Sequence, residues 1–463
     1  MWIDIFVNPP QGILIYTLKL KRCSIQYIIN LCDSVIRTHM INELSEAMDG
    51  KEVVLAGWVH EVRETAKITF LILRDSTGIV QVIGKKEEIS DGLLKKMALP
   101  KESVVEIKGI VRKNKEAKKG FEITLTEIID LNPLSKQIPF EVTGKVPAEI
   151  DVRLNHRYVD LRRLETTAIF KIESTILQSF RNFFIERKFS EIRTPTLVEA
   201  ATEGGADVFA VKYFEREAFL VQSPQFYKQF ALVGGMDKVF MIVPVFRAEK
   251  SNTIFHLTES TQMDIEIAFA DDNDAIKLLS EIVVYIIKKV IENNSEDLKT
   301  LGVELKIPDV KIVTYTDAVA ALNKNGHPMK LGDDFSREAE EKLAQIYGDG
   351  LIIREYPTAV RAFYSMPKEG NPEMSKSYDF LYKGLEISSG AQRIHIPELL
   401  IEAVKKKGLN PKDFEFYIDS FRYGAPPHAG WSIGLERFAM KITGAKNIRE
   451  CSLFPRDRKR LLP

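Results

Sequence analysis

Arg247 and Glu249 stand at the end of an apolar run, VFMIVPVF, and a polar stretch returns from them to Asp264 and Glu266. A strand that ends in arginine and glutamate, loops out and comes back with carboxylates can grip a ligand bearing both phosphate and amine. Arginine's planar fork matches phosphate and carboxylate oxygens and keeps its charge at any physiological pH. Alone, an Arg-x-Glu pair in a hairpin is more often a surface ion pair. Two further segments change that reading. In GWSIGLER (430–437), glycines allow close backbone approach and Arg437 opens a helix. In RKFSEIRTPTL (187–197), a helix is expected to end and a strand containing Pro195 to begin.

Other elements must position these groups. Between Glu52 and about Ile129, apolar and polar residues alternate in five strand-length runs: VVLAGWVHEV, ITFLILRD, GIVQVIG, VVEIKGIVRK and FEITLTEII. A helical pattern, KEEISDGLLKKMA, falls between the third and fourth. Five strands with a helix in that gap fit the five-stranded Greek-key barrel of the OB-fold. The proline-bearing segment that follows reads as a hinge over 134–165, and helical periodicity resumes at TTAIFKIESTILQSFRNFFIERK. Irregular alternation of strands and helices over 166–463 then predicts an α+β domain on an antiparallel sheet, with a helical insert at about 270–375.

The three segments, in this order, resemble motifs 1, 2 and 3 of the class II aminoacyl-tRNA synthetases, and in detail their archaeal-type aspartyl branch. The resemblance runs from about residue 35 to the last residue. It implies an N-terminal OB-fold anticodon-binding domain (35–133), a class II catalytic domain, ATP and L-aspartate as substrates, Mg²⁺, tRNA(Asp) as partner, and a homodimer with Pro195 near its axis. Arg247 is similar to the residue bridging the α-phosphate and the amino-acid carboxylate, Glu249 to the one meeting the adenine amino group, and His256, with Leu257 beside it, to those near the nucleotide. Arg437 resembles the arginine that lies against adenine. Glu386 and Ser389, in GLEISSGAQRIH, look like metal ligands, with Asp379 a further candidate; the run from Ser377 to Gly390 reads as one strand.

For the amino acid, Lys228 and Arg393 match cations that would meet the substrate's side-chain carboxylate, Ser223, Gln225 and Asp264 match residues around its ammonium, and Glu203 sits in a loop resembling one that closes over it. Placing asparagine there would leave two buried cations undercompensated, a cost on the order of 2–5 kcal/mol. In the barrel, Phe70 and Gln81 match readers of the central anticodon base and Arg63 a further contact, although Phe70 in an apolar strand also reads as core. His60 resembles enzymes that also charge tRNA(Asn) and Lys118 those that do not, so that choice stays open.

Three departures from the pattern stand out. Ser260 replaces an aromatic that would face adenine, a loss of about 1 kcal/mol unless a ring such as Phe255 substitutes. Lys188 replaces a glycine before Phe189, and Ser432 replaces a frequent motif 3 glycine. Alternatives include an asparaginyl enzyme, against which Lys228 argues, a non-catalytic paralogue, and a free-standing ligase making asparagine, which would lack the barrel.

The 65 basic and 65 acidic residues leave no global basic field, so any nucleic-acid contact must be a local patch, for which the end RDRKR (456–460) is a candidate. Three cysteines (Cys23, Cys32, Cys451) have no metal-ligand spacing, which fits a reducing cytoplasm. No apolar run approaches the roughly 18 residues needed to span a membrane. Residues 1–34 differ in composition from the rest and lack the parts of a secretory signal; translation is expected to start at Val35 or Met40.

Overall fold

The computed structural model describes residues 36–132, 134–199 and 207–463, and gives the backbone of three antiparallel strands, Ile3–Asn8, Ile13–Leu20 and Cys23–Asn30. The rest of 1–34, and Glu203, lie outside the described residues. The chain divides into a unit to Ala148 and a unit from Glu149 to Pro463.

In the first unit, β1 (Glu52–Glu64), β2 (Ile68–Asp75), β3 (Gly78–Lys85), β4 (Val104–Lys113) and β5 (Phe121–Asn132) close a barrel in the order β1-β2-β3-β5-β4. This is the expected OB-fold, and period-two alternation builds it: Val53, Leu55 and Val59 face the core while Val54, Ala56 and Trp58 lie half-buried between them. At His60 the register slips from Val59 opposite Leu73 to Glu61 opposite Ile72, a bulge that bends β1. The helix between β3 and β4, α1, covers only Asp91–Met97, shorter than its sequence pattern, because Ser90 caps it by accepting the Leu93 N–H. Its Met97 is fully buried in the barrel core.

In the second unit the chain runs through α2 (Leu164–Glu186), β6 (Ser190–Glu191), α3 (Gln225–Val233), β7 (Lys238–Phe246), β8 (Glu259–Ala268) and α4 (Asp272–Asn293). It continues through β9 (Val310–Thr314), α5 (Tyr315–Lys324), α6 (Arg337–Tyr347), β10 (Gly350–Arg354), β11 (Ser377–Tyr382), β12 (Leu385–Arg393), β13 (His428–Gly434) and α7 (Leu435–Thr443). Eight strands form one sheet, β9-β10-β11-β12-β13-β8-β7-β6, antiparallel except at its two ends. Residues of α2, α4 and α7, among them Phe180, Phe183, Phe184, Ile282, Ile286 and Phe438, share one core with Trp431 of β13. Asp271 starts α4 with a capping box, accepting from Asn273 and Asp274 while Asp274 accepts from its N–H.

Four expectations change. The hinge placed over 134–165 ends at Ala148: residues from Ile150 are helical and held by Arg153 and Arg157, which pair with Asp160 and reach Glu450 and carbonyls beyond it. The insert at 270–375 is not wholly helical, since β9 and β10 extend the sheet and a loop with a single 3-10 turn, Thr358–Val360, occupies 355–366. Residues 377–390 are a hairpin rather than one strand, because Lys383 (φ 47°) and Gly384 (φ 65°) form a two-residue turn with both φ positive. Pro195 is exposed between strands rather than within one. Lys188 keeps the glycine-like turn that its identity put in doubt. With φ 62° it ends α2 in a Schellman arrangement, its N–H on Ile185 O and the Phe189 N–H on Phe184 O.

Candidate active site

One cavity of about 540 Å³ in the second unit is lined by Ser223, Gln225, Lys228, Arg247, Glu249, His256, Leu257, Asp264, Glu386, Ser389, Arg393 and Arg437. Thus the sheet gathers residues spread over more than two hundred positions. β8, β12 and β13 lie side by side and supply its floor, while α3 and the loop 247–258 supply its sides.

At one end Lys228 and Arg393 share a carboxylate. Lys228 Nζ lies 3.2 Å from Glu266 Oε2, and Arg393 donates to the same group through Nε (2.9 Å) and Nη2 (3.4 Å). Lys228 also donates to Asp264 Oδ1 at 2.6 Å and to the Ile265 carbonyl at 3.4 Å. Arg393 Nη2 reaches the Gly430 carbonyl at 2.9 Å, and its Nη1 has no hydrogen bond among the described residues. Burial alone would raise the Glu266 carboxyl, but Arg393 and then Lys228 outweigh it and hold it below the usual range. Arg393, against its own burial, is held more firmly charged by Glu266. Two cations thus face two carboxylates, Asp264 and Glu266, all buried. Arg393 and Glu266 sit on strands that flank β13, and they meet because residue 430 is glycine. A Cβ there would lie 2.3 Å from Glu266 Oε2 and from Ile265 O.

Polar atoms around this end face the cavity. Gln225 Nε2, Gln262 Oε1 and Ser388 Oγ are buried and unbonded among the described residues, which leaves them for a polar ligand. Ser223 accepts the Gln225 N–H at 3.3 Å, and Ser432 donates to Asp264 Oδ2 at 2.9 Å.

The other end carries the cationic and acidic groups of the loop and of α7. Arg247 Nη1 stands 4.0 Å from Glu249 Oε1, and Glu249 Oε2 is 3.5 Å from His256 Nε2. A 2.6 Å hydrogen bond between Thr253 Oγ1 and His256 Nδ1 fixes that ring. Arg437 donates to the Glu386 carbonyl at 3.4 Å. Burial, reinforced by Asp379, pushes the Glu386 carboxyl up to about 7 against Arg437 and Arg361. Ser260 and Phe255 both line the cavity, and Arg337 of α6 lies 4.7 Å from the Phe255 ring centre.

Asp379 does not stand where expected. It is outside the cavity lining and its carboxylate is taken by Arg361, through Nη1 at 2.8 Å and through Nη2, which also donates to Ser389 Oγ at 2.7 Å. Arg361, Tyr364 and Gln262 escaped the sequence reading. The first two lie in the loop 355–366, inside a region read as helical, where the flanking prolines were the available signal. The basic end is not a free patch. Arg456 bonds the Pro463 carbonyl, Arg458 the Lys250 carbonyl, and Arg460 Asn155 and Asp151.

On the barrel, Phe70 is half-buried on the face opposite Leu71 and Leu73, so it is not core, and it pairs across strands with Arg63. Gln81 Nε2 donates to Glu122 at 2.8 Å, and Arg63 pairs with Glu61 at 3.0 Å. His60 Nδ1 lies 3.0 Å from Arg74, which forks onto Glu102 at 2.9 and 2.7 Å. Lys118 is exposed in the β4–β5 turn, which reaches the β2–β3 turn at Gly78, whereas Phe70 and Arg63 lie toward the β1–β2 turn.

Comparison with known proteins accords with this geometry. Residues 53–131 match the OB-fold nucleic acid binding domain. An aspartate--tRNA(Asp/Asn) ligase of Methanocaldococcus jannaschii is 47% identical over 430 residues, 92% of this chain and 98% of that protein. Among solved structures, asparaginyl-tRNA synthetase from Pyrococcus horikoshii complexed with asparaginyl-adenylate is 32% identical with a TM-score of 0.87, covering 91% of this chain and 99% of that one. Aspartyl tRNA synthetase from Entamoeba histolytica is 33% identical with a TM-score of 0.84, covering 93% of each. With residues 149–458 matching tRNA synthetases class II (D, K and N), the chain belongs to that family of aminoacyl-tRNA ligases.

Proposed function

We propose that the chain activates L-aspartate with ATP and transfers it to tRNA(Asp), and to tRNA(Asn) as well. The observation that carries the choice of amino acid is the shared carboxylate of Lys228, Glu266 and Arg393. With two cations balanced by Asp264 and Glu266, a bound aspartate adds an ammonium and a side-chain carboxylate and keeps that balance, while asparagine adds net positive charge. Arg393 Nη1 is the donor left for the side-chain carboxylate, and Lys228 reaches it by giving up its 3.4 Å bond to the Ile265 carbonyl. Asp264, Gln225 and Ser223 surround the ammonium.

In the first step the aspartate α-carboxylate attacks the α-phosphorus and pyrophosphate leaves; in the second a terminal ribose hydroxyl attacks the mixed anhydride and AMP leaves. Positioning and charge neutralisation carry both. Arg247 holds the α-phosphate against the attacking carboxylate, Glu249 meets the base, and Arg437 and His256 neutralise the remaining phosphates. Glu386 and Ser389 fit Mg²⁺: both are oxygen donors, and a carboxyl kept near neutral pH by burial becomes fully ionised beside a cation. Glu386 and Ser389 would hold the ion, which would supply charge stabilisation to the phosphates. Asp379 pairs with Arg361, whose guanidinium also donates to Ser389 Oγ at 2.7 Å.

Phe70, Gln81 and Arg63 form the anticodon face. Charging of tRNA(Asn) is supported by the name of the 47% identical relative and by His60. Exposed Pro195 and Leu197 suit the two-fold face of a homodimer, and a cytoplasmic setting suits a tRNA ligase. Pyrophosphate exchange with aspartate and with asparagine, then charging of both tRNAs, tests the reading. Exchange that favours asparagine overturns it.

A further inference from the structure

The loop 247–258, which carries Glu249, Phe255, His256 and Leu257 into the cavity, is a wall between two hollows. Behind it lies a second cavity of about 830 Å³, lined in part by Asn252, Thr253 and Ile254 of the loop and by Arg449, Asp457 and Arg460. A polar surface loop with such a space behind it has room to fall away from a nucleotide.

Arg449 spans this gap. Its Nη2 donates to Asn252 Oδ1 at 2.7 Å, its Nη1 to the Thr253 carbonyl at 3.1 Å, and its Nε to Asp457. The base from which it reaches is itself fixed: Arg157, wholly buried, donates to the carbonyls of Glu450 (2.8 Å), Ser452 (2.9 Å) and Leu453 (3.0 Å). Neighbouring bonds close the rest of the loop, with the Ile448 N–H on Ile254 O and the Thr258 N–H on Arg456 O, both 2.9 Å. Asp457 in turn accepts the backbone N–H groups of Lys459 and Arg460.

We infer that Arg449 is a positioning residue for the nucleotide: it ties the chain's last segment to the loop and keeps Glu249 and His256 on the ATP side of the wall. This rests on the reading of the 540 Å³ cavity as the ATP and aspartate site. A planar fork with donors in several fixed directions can hold the side chain, the carbonyl and the carboxylate together; a lysine cannot. The aspartate side chain binds at the far end, on Lys228 and Arg393, and Arg247, which meets its α-carboxylate, is anchored at the base of the loop through its N–H on Thr258 O (2.9 Å), so aspartate affinity depends on the loop's outer part less than ATP affinity does.

The test measures aspartate-dependent pyrophosphate exchange for wild type, Arg449→Met, Arg449→Lys and Asn252→Ala. Arg449→Met should raise KM for ATP by about tenfold or more with KM for aspartate within about twofold, Arg449→Lys should fall between, and Asn252→Ala should give about a two- to fivefold rise. The double variant should be no worse than Arg449→Met alone. Hydrogen–deuterium exchange of the peptide spanning 248–258 should quicken in Arg449→Met without any substrate. An equal rise in both KM values, or an unchanged KM for ATP with unaltered exchange of that peptide, overturns the inference. If Arg449→Met does not fold, Asn252→Ala decides by the same split. Absence of aspartate-dependent exchange in wild type would instead defeat the functional reading, and the deuterium result would still judge the clamp.

Discussion

Lys228 Nζ lies 2.6 Å from Asp264 Oδ1, with both side chains 1% exposed. The pair sits where helix α3 meets strand β8, so an ion pair of the interior doubles as the edge of the cavity. Its removal should act on stability and on substrate choice at once.

Lys228→Leu should lower kcat/KM for aspartate by at least roughly a hundredfold, because a buried cation is lost opposite the substrate carboxylate. It also strands Asp264 and Glu266 with one cation, at a cost of about 3–5 kcal/mol in unfolding free energy. Steady-state exchange kinetics and urea titration check the two effects. A change in kcat/KM under about threefold would remove Lys228 from the pocket.

Glu436 accepts the Thr261 N–H with both oxygens, at 2.9 and 3.1 Å, while burial pushes its carboxyl from 4.5 up to about 7. Between those values the folded chain holds a proton that the unfolded chain has released, so wild-type stability falls as pH rises through that window. Glu436→Gln keeps an acceptor and removes the titration. Relative to wild type it should gain stability from about pH 4.5 upward and level off above about 7, by at most about 3 kcal/mol. Glu173, raised to about 8 by burial and then by Glu436, shifts in the same sense. Chemical unfolding of both proteins from pH 5 to 8 measures the difference.

At the end of α2, Lys188 holds φ 62°. A left-handed non-glycine residue costs about 1–2 kcal/mol, part of which glycine returns through its freer unfolded chain. Lys188→Gly should therefore stabilise the protein by about 0.5–1 kcal/mol, read from the urea midpoint at unchanged slope. Destabilisation would show that the lysine side chain makes a compensating contact.

Phe70→Ala should weaken tRNA binding by about 1–3 kcal/mol, the value of one base stacked on an aromatic. Because the ring stands off the barrel core, fold and aspartate-dependent exchange should be unaffected. Filter binding alongside exchange kinetics separates the two readouts, and equal loss in both would mean that Phe70 is structural.

The barrel was readable because its five strands alternate strictly and are punctuated by turns, a signal of local origin. The end of β7 was readable because Arg247 closes an apolar run and the start of α7 because glycines precede Arg437, whereas Arg393 was marked by resemblance and the end of its strand was not read. Three-dimensional pairings were less visible. Asp264 and Glu266 stood out as carboxylates, yet nothing local says that Glu266 meets Arg393 from two strands away. Asp379 looked like a metal ligand from its strand alone, and Arg361, which claims it, comes from a loop hidden in a helical stretch. The basic tail was read as a candidate nucleic-acid patch, since charge shows in sequence while the carbonyls that Arg456 and Arg458 meet do not.

Gly430 leaves the middle strand bare, and so two ionised groups from strands that never pair can touch across it. Selection for a different amino acid, natural or in the laboratory, can change 228 and 393 only at a cost in stability, and has less latitude still at 430, where even a methyl would stand 2.3 Å from Glu266 Oε2. Libraries aimed at new substrates should hold that position constant and vary its surroundings.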